Sequence, residues 1–220
     1  MLISIDGGCK RQGTPQCSSV GVAWVQTDDG DLFYRAHYEN LESTSQRGEL
    51  NGLISALEVA VERSEPDESI IIVTDSEYLY NSVSKGWSLT WERSGWQGSG
   101  GPVKNRDMWQ KVNEMLRKLN TPEERVFMQW TKGHLISYTA GNAKRAMAKD
   151  PTGIGLFMNI KAIATRGSEE DRIVDDFIYN RVKHEHQVPP RVACLDWCIA
   201  NVMADTLASY LTSLLDSVVL

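Results

Sequence analysis

A β-branched run, Ile70-Ile71-Ile72-Val73-Thr74, passes directly into Asp75-Ser76-Glu77. A short apolar run closed by polar residues predicts a strand buried on both faces, and a helix from about Glu77 to Ser84 follows it. Before it, residues 2–6 alternate like a strand. Val20 to Gln26 and Leu32 to Tyr38 read as two more, with Asp28-Asp29-Gly30 as their hairpin turn. From Thr44 to Glu62 the apolar residues Leu50, Leu53, Ile54, Leu57, Ala60 and Val61 recur at helical spacing. Further helices are predicted from Asn105 or Asp107 to Leu119, from Glu169 to His186 before Pro189-Pro190, and from about Val192 to Val218. Val126 to Trp130 reads as a fifth strand. Gly86 to Pro102 reads as a loop holding Trp87, Trp91 and Trp96 among glycines, and residues 135–167 show no clear period. This order predicts an α/β fold, a mixed five-stranded sheet flanked by helices.

Bulk composition changes this picture little: 41% of the 220 residues are hydrophobic and 24% charged, as in a globular protein. No apolar run approaches a membrane span, and Met1 to Asp6 lacks the basic leader of a signal peptide, so a cytoplasmic protein with no membrane partner is expected. In that compartment Cys9, Cys17, Cys194 and Cys198 are expected to be free thiols rather than a disulfide framework or a zinc site. The net charge of −6 argues at first against nucleic acid. Yet from Lys85 to Lys149 twelve Lys and Arg face five Asp and Glu, a local balance of +7 that leaves −13 for the remainder. A basic segment on an acidic body suits a surface that tracks phosphates, because local potential governs such contacts.

Four acids stand at suggestive places. Asp6 lies on the first strand before Gly7-Gly8, Glu49 in the first long helix, Asp75 at the end of the central strand and Asp205 in the last helix. Each has an ordinary alternative: turn chemistry for Asp6, a helix start for Glu49, surface charge for Asp205. For Asp75 the alternative is a capping box, Thr74-Asp75-Ser76-Glu77. If neighbouring strands bring Asp6 and Asp75 together, the cluster repels itself unless a divalent cation neutralises it. Oxygen-only ligands suit Mg²⁺ or Mn²⁺. Two such ions about 4 Å apart can activate a water and stabilise the leaving oxygen of a phosphodiester.

These residues sit in a series of motifs: Asp6-Gly7-Gly8-Cys9, Arg47-Gly48-Glu49-Leu50, Thr74-Asp75-Ser76-Glu77-Tyr78, the tryptophan segment, Pro102 to Trp109, Trp130-Thr131-Lys132-Gly133-His134 and Asn201 to Ala208. In that order they resemble the motifs of type 1 ribonuclease H. The likeness runs almost continuously over residues 1–134 and resumes near Asn201. It implies an RNase H-like fold and hydrolysis of the RNA strand of RNA–DNA hybrids by two metal ions, Mg²⁺ with Mn²⁺ accepted. Asp6, Glu49, Asp75 and Asp205 are then the metal-binding carboxylates, and His134 assists proton movement and product release. Gly7, Gly8, Cys9, Thr44, Gln46, Trp87, Trp91, Lys104 and Asn105 are the expected substrate-binding residues. Glycines allow a sugar–phosphate backbone to approach, and small polar groups there can sense a 2′-hydroxyl. At least one of the tryptophans is expected to pack between helices instead.

The pattern departs from the family in one region. Asp205 lies 71 positions after His134, where the family has a short connection. The chain is read as one domain, 1–220, with an insertion at about 136–191. In it Lys144, Arg145 and Lys149 are candidates for further phosphate contact. Gly141 to Ala146 faintly resembles the opening of the family's final helix but lacks its Asp, which makes Asp150 the runner-up to Asp205 as the fourth carboxylate. Rival readings are a nuclease of the same fold acting on branched DNA, and a non-cleaving hybrid-binding module. A monomer is expected, and the apolar stretch Leu211 to Leu220 is free to pack on the sheet or on a second copy.

Overall fold

The computed structural model describes residues 1–215 apart from 41, 137, 185 and 188, and gives no side-chain burial for Val192. The chain opens with an antiparallel meander, β1 (Leu2–Lys10), β2 (Ser18–Gln26) and β3 (Leu32–Glu39). Helix α1 (Ser45–Arg63) starts where Thr44 Oγ1 accepts the Arg47 N–H, as an N-cap hydroxyl does. It leads to β4 (Ile70–Thr74), then α2 (Glu77–Ser84). The tryptophan segment is not the loop its glycines suggested. Trp87–Arg93 forms a short helix, α3, followed by a two-residue ribbon, β5 (Gln97–Gly98) with β6 (Gly101–Pro102). Helix α4 (Arg106–Leu119) precedes β7 (Val126–Trp130).

The stretch without clear periodicity folds into α5 (Ala140–Lys149) and α6 (Ile154–Ala164), and α7 (Glu169–Lys183) and α8 (Arg191–Leu214) complete the described chain. The end of the helix predicted to Val218, and of the apolar stretch to Leu220, lies outside the described residues.

The main sheet has the order β3-β2-β1-β4-β7, with β4 parallel to both neighbours and the meander antiparallel. It is the mixed five-stranded sheet that the pattern predicts. One face packs on α1 and α4 through Ile3, Ile5, Leu53, Leu57, Ile72 and Trp109; the other packs on α5 to α8 through Val22, Trp24, Val73, Phe157, Phe177 and Met203. Both faces of β4 are therefore covered, which is why its sequence is apolar throughout rather than alternating.

Strand β7 is an edge, and an open edge invites unwanted pairing. Two side chains cap it. Asn120 Oδ1 accepts the outward N–H of Val126 at 2.9 Å, and the buried guanidinium of Arg181 donates to the Trp130 carbonyl.

Candidate active site

The β1–β4 register pairs Leu2 with Ile71 and Ser4 with Val73. Two residues on, Asp6 stands level with Asp75. Residues paired in register point to the same side of a sheet, so both carboxylates rise on the face that α8 covers. Asp205 comes from α8 itself. Glu49 comes from α1 on the opposite face and reaches the strand ends because α1 lies almost in contact with β1.

Glycines explain that contact. Successive residues of β1 point to opposite faces, and Gly7 points to α1. A Cβ there would stand 2.6 Å from the Gly48 carbonyl oxygen. Gly8 points the other way, where an added Cβ would meet the Thr212 side chain. From sequence, both glycines were expected to make room for a sugar–phosphate backbone. In the structure helix backbone approaches Gly7 and a helix side chain approaches Gly8.

Glu49 is held by a hydrogen bond of 2.7 Å from Ser76 Oγ to its Oε2. Ser76 is also the N-cap of α2, accepting the Leu79 N–H at 3.4 Å. The cap is thus Ser76 rather than Thr74, so Asp75 stands outside the helix, free to face the cluster. Its carbonyl accepts the Trp130 indole N–H at 3.1 Å. Asp6 Oδ1 accepts the N–H of Gly7 at 2.7 Å. His134 adopts the left-handed backbone region, φ 61°, and its exposed ring brings Nδ1 to 3.1 Å from Asp205 Oδ2.

Electrostatics register the crowding. Burial, followed by the charges of Asp75, Asp205 and Glu49, pushes the Asp6 carboxyl well above the usual range. Burial and then Asp205 raise Asp75, against a smaller lowering by His134. Burial, with a contribution from Asp75, raises Glu49 despite its hydrogen bond from Ser76. Among the described residues none of the four acids pairs with Lys or Arg, and no three His, Cys, Asp or Glu side chains stand close enough together to hold a metal ion as they are. The acids stand as mutually repelling neighbours. An uncompensated, all-oxygen set of this kind fits a hard divalent cation.

The same burial and repulsion make stability depend on pH. Each of these carboxyls has a higher pKa folded than unfolded, where the ordinary values are 3.8 for Asp and 4.5 for Glu. Between the two values the folded state holds more protons, so without metal, stability falls as pH rises from about 4. Thermal melts in chelator are expected to decline over that window. Asp6→Asn should flatten the decline and millimolar MgCl₂ should offset it. A wild-type profile no steeper than that of Asp6→Asn refutes the repulsion.

The other predicted positions are spread around this cluster. Thr44 is an exposed cap and Gln46 is exposed; Cys9 is half-buried, its Sγ 3.4 Å from Gln12 Oε1. Trp87 is 39% exposed under Lys85. Trp91 is half-buried, stacked on Tyr78 and edge-on to Trp109. Trp96 is buried and meets the expectation of a packing tryptophan. Lys104 is exposed, and Asn105 accepts a hydrogen bond of 3.4 Å from Arg47. Asp150 lies apart from the cluster, accepting hydrogen bonds from Thr152 and Gly155 near its own loop. Sequence reasoning missed Ser76, the cap that orients Glu49. It also missed Arg47, whose guanidinium clamps Glu39 and Asp107 and so ties α1 to the start of α4.

The RNase H family model matches residues 1–148. The chain belongs to the ribonuclease H family. Among its relatives, ribonuclease HI of Haemophilus influenzae is 30% identical over 138 residues, 60% of this chain and 77% of the relative. Ribonuclease H of Jannaschia sp. is 35% identical over 133 residues, 59% and 76%. The fold is similar to that of the prototype foamy virus protease–reverse transcriptase crystal structure, at 19% identity and a TM-score of 0.50 over 70% of this chain and 20% of that one. Ribonucleases H are hydrolytic nucleases that generally use a divalent metal ion, and this chain is an enzyme of that kind. The family match ends at 148 and so includes most of α5, but the acid near His134 belongs to α8, which packs across β1. Among the described residues no helix is long and apolar enough to cross a membrane.

Proposed function

We propose that this ribonuclease H cuts the RNA strand of RNA–DNA hybrids, with Asp6, Glu49, Asp75 and Asp205 holding two divalent ions, Mg²⁺ or Mn²⁺. The observation that carries the reading is the convergence of four acids without a Lys or Arg partner among the described residues, drawn from β1, α1, the end of β4 and α8, with an exposed histidine on Asp205. When bound, the ions supply the positive charge that lowers the pKa of the attacking water and stabilises the leaving oxygen. The chain's own contribution is position. Ser76 fixes Glu49, the Trp130 indole fixes the backbone at Asp75, and the β1–β4 register sets Asp6 beside it.

His134, exposed beside Asp205, moves a proton at the site and helps product leave. His134→Ala is expected to lower kcat by about 10²-fold while leaving measurable cleavage. An unchanged kcat across the pH profile removes His134 from the chemistry.

Around the acids, Trp87, Lys104, Asn105, Thr44 and Gln46 present exposed or half-exposed groups to the duplex, with the Gly7 to Cys9 strand at the RNA. Trp91 contributes an edge of its stacked ring. We read residues 136–191 as an insertion within a single domain, and Asp205 rather than Asp150 as the fourth carboxylate. Four free thiols suit a reducing, cytoplasmic setting, and we take the enzyme to act as a monomer. The test is a cleavage panel of hybrid, double-stranded RNA and double-stranded DNA, with and without MgCl₂. Metal-dependent loss of the RNA strand of the hybrid alone is expected, and cutting of DNA duplexes instead overturns the reading.

A further inference from the structure

Helices α5 and α6 frame a cleft of about 410 Å³ lined by Tyr138, Asn142, Arg145, Lys149, Asn159 and Arg166, with no carboxylate in its wall. Arg145 and Lys149 lie four residues apart and so share one face of α5. Among the described residues neither they nor Arg166 pair with an acid; Arg145 donates only to the Asn142 side-chain oxygen. The contrast with nearby arginines is informative. Arg172 pairs with Glu169 and Asp176, and Arg191 with Asp171 and Asp175. The acids of α7 thus neutralise Arg172 and Arg191, and none of them reaches the cations of the cleft.

The cleft borders on the candidate active site. A second depression is lined by His134, Ile136, Tyr138, Thr139, Asp205 and Thr206, and Tyr138 lines both. Tyr138 thus stands between the His134–Asp205 pair and three cations without an acidic partner among the described residues. Guanidinium forks bind phosphate oxygens in pairs, an ammonium binds them as a point charge, and asparagine amides commonly contact phosphate and sugar.

We infer that the cleft between α5 and α6 is a phosphate-binding subsite, which holds backbone phosphates of the bound nucleic acid beyond the position that is cut. This rests on the reading of the enzyme as a hybrid nuclease. It gives the inserted segment a role in substrate affinity.

The test is the salt dependence of binding. For each phosphate that the protein no longer neutralises, the slope of log K against log salt becomes shallower by about 0.9. The triple variant Arg145→Gln, Lys149→Gln, Arg166→Gln is compared with the unmodified chain, both carrying Asp75→Asn so that hybrid is bound and not cut. The slope is expected to become shallower by about 2 to 3, with roughly tenfold or greater weakening at moderate salt. Lys161→Gln, which removes a cation of α6 outside the cleft, should change neither value. Thermal melts confirm that the triple variant is folded, as its exposed positions predict; if it is not, the three single variants, each expected to reduce the slope by about 1, replace it.

An unchanged slope in folded variants overturns the subsite. So does an equal change with Lys161→Gln, which makes the effect one of general charge. The nuclease reading fails separately, when the unmodified chain leaves hybrids intact; the salt slope on any duplex that it binds still tests the cleft.

Discussion

Asp75→Asn abolishes hybrid cleavage, by roughly 10³-fold or more, while the protein stays folded and still binds the duplex. The magnitude follows from what is removed. Asp75 interacts with every other acid of the set, repelled by Asp205 and itself raising both Asp6 and Glu49. Asparagine keeps the shape and one oxygen but gives up the negative charge that holds a divalent ion, and metal-ion catalysis supplies several kcal/mol of transition-state stabilisation. The same substitution relieves a buried like-charge contact, so without metal its thermal midpoint should lie above that of the wild type near neutral pH. Loss of activity with gain of stability is the signature of a site that trades stability for function. Cleavage within tenfold of the wild type removes Asp75 from the metal set, and a lowered midpoint in chelator shows that the acids do not strain one another.

The parts of this architecture that were legible in the sequence are those governed by local pattern. The runs at Ile70 and Val126 and the helical spacing from Leu50 to Ala60 report burial directly, and burial fixes which face of each element turns inward. Asp6 and Asp75 were legible as a pair because two adjacent parallel strands ending in acids can meet at only one edge of the sheet. Other features depend on contacts that no local pattern encodes. Gly95 and Gly98 to Gly101 suggested a loop, whereas Trp87 to Arg93 forms a helix held by Tyr78, Trp109 and the Glu92–Arg117 ion pair. Helices α5 and α6 were obscured because their apolar residues are divided between α8 and the sheet, where Phe157 stacks on Trp24, and follow no simple stripe. Ser76 could have been found: the polar residue directly after Asp75 has an N-cap's chemistry, and a cap at that position frees the preceding acid.

Gly21→Ala is the second large effect, and it concerns the scaffold rather than the chemistry. Gly21 pairs with Gly7 across β1 and β2, and both face α1, Gly7 at Gly48 and Glu49 and Gly21 at Gly48 and Gly52. A Cβ on Gly21 would stand 2.5 Å from the Asn51 carbonyl carbon, and the Gly52 nitrogen and Gly48 oxygen also lie within van der Waals distance. All three are backbone atoms, so no rotamer change can relieve the overlap. Either α1 lifts from the sheet or the substitution is rejected. Overpacking of a rigid core costs typically 1–3 kcal/mol and occasionally more, and here about 3 kcal/mol or more is expected, read as a lowered midpoint in urea. Gly98→Ala is the control. An added Cβ there meets nothing closer than 3.6 Å, so its change should stay within about 0.5 kcal/mol. Because α1 also carries Glu49, any Gly21→Ala protein that does fold should show weakened metal dependence, since a helix displaced by one methyl moves that carboxylate away from Asp6 and Asp75. A stable Gly21→Ala with unaltered metal response means that the helix reaches the strand ends by some route other than this glycine contact.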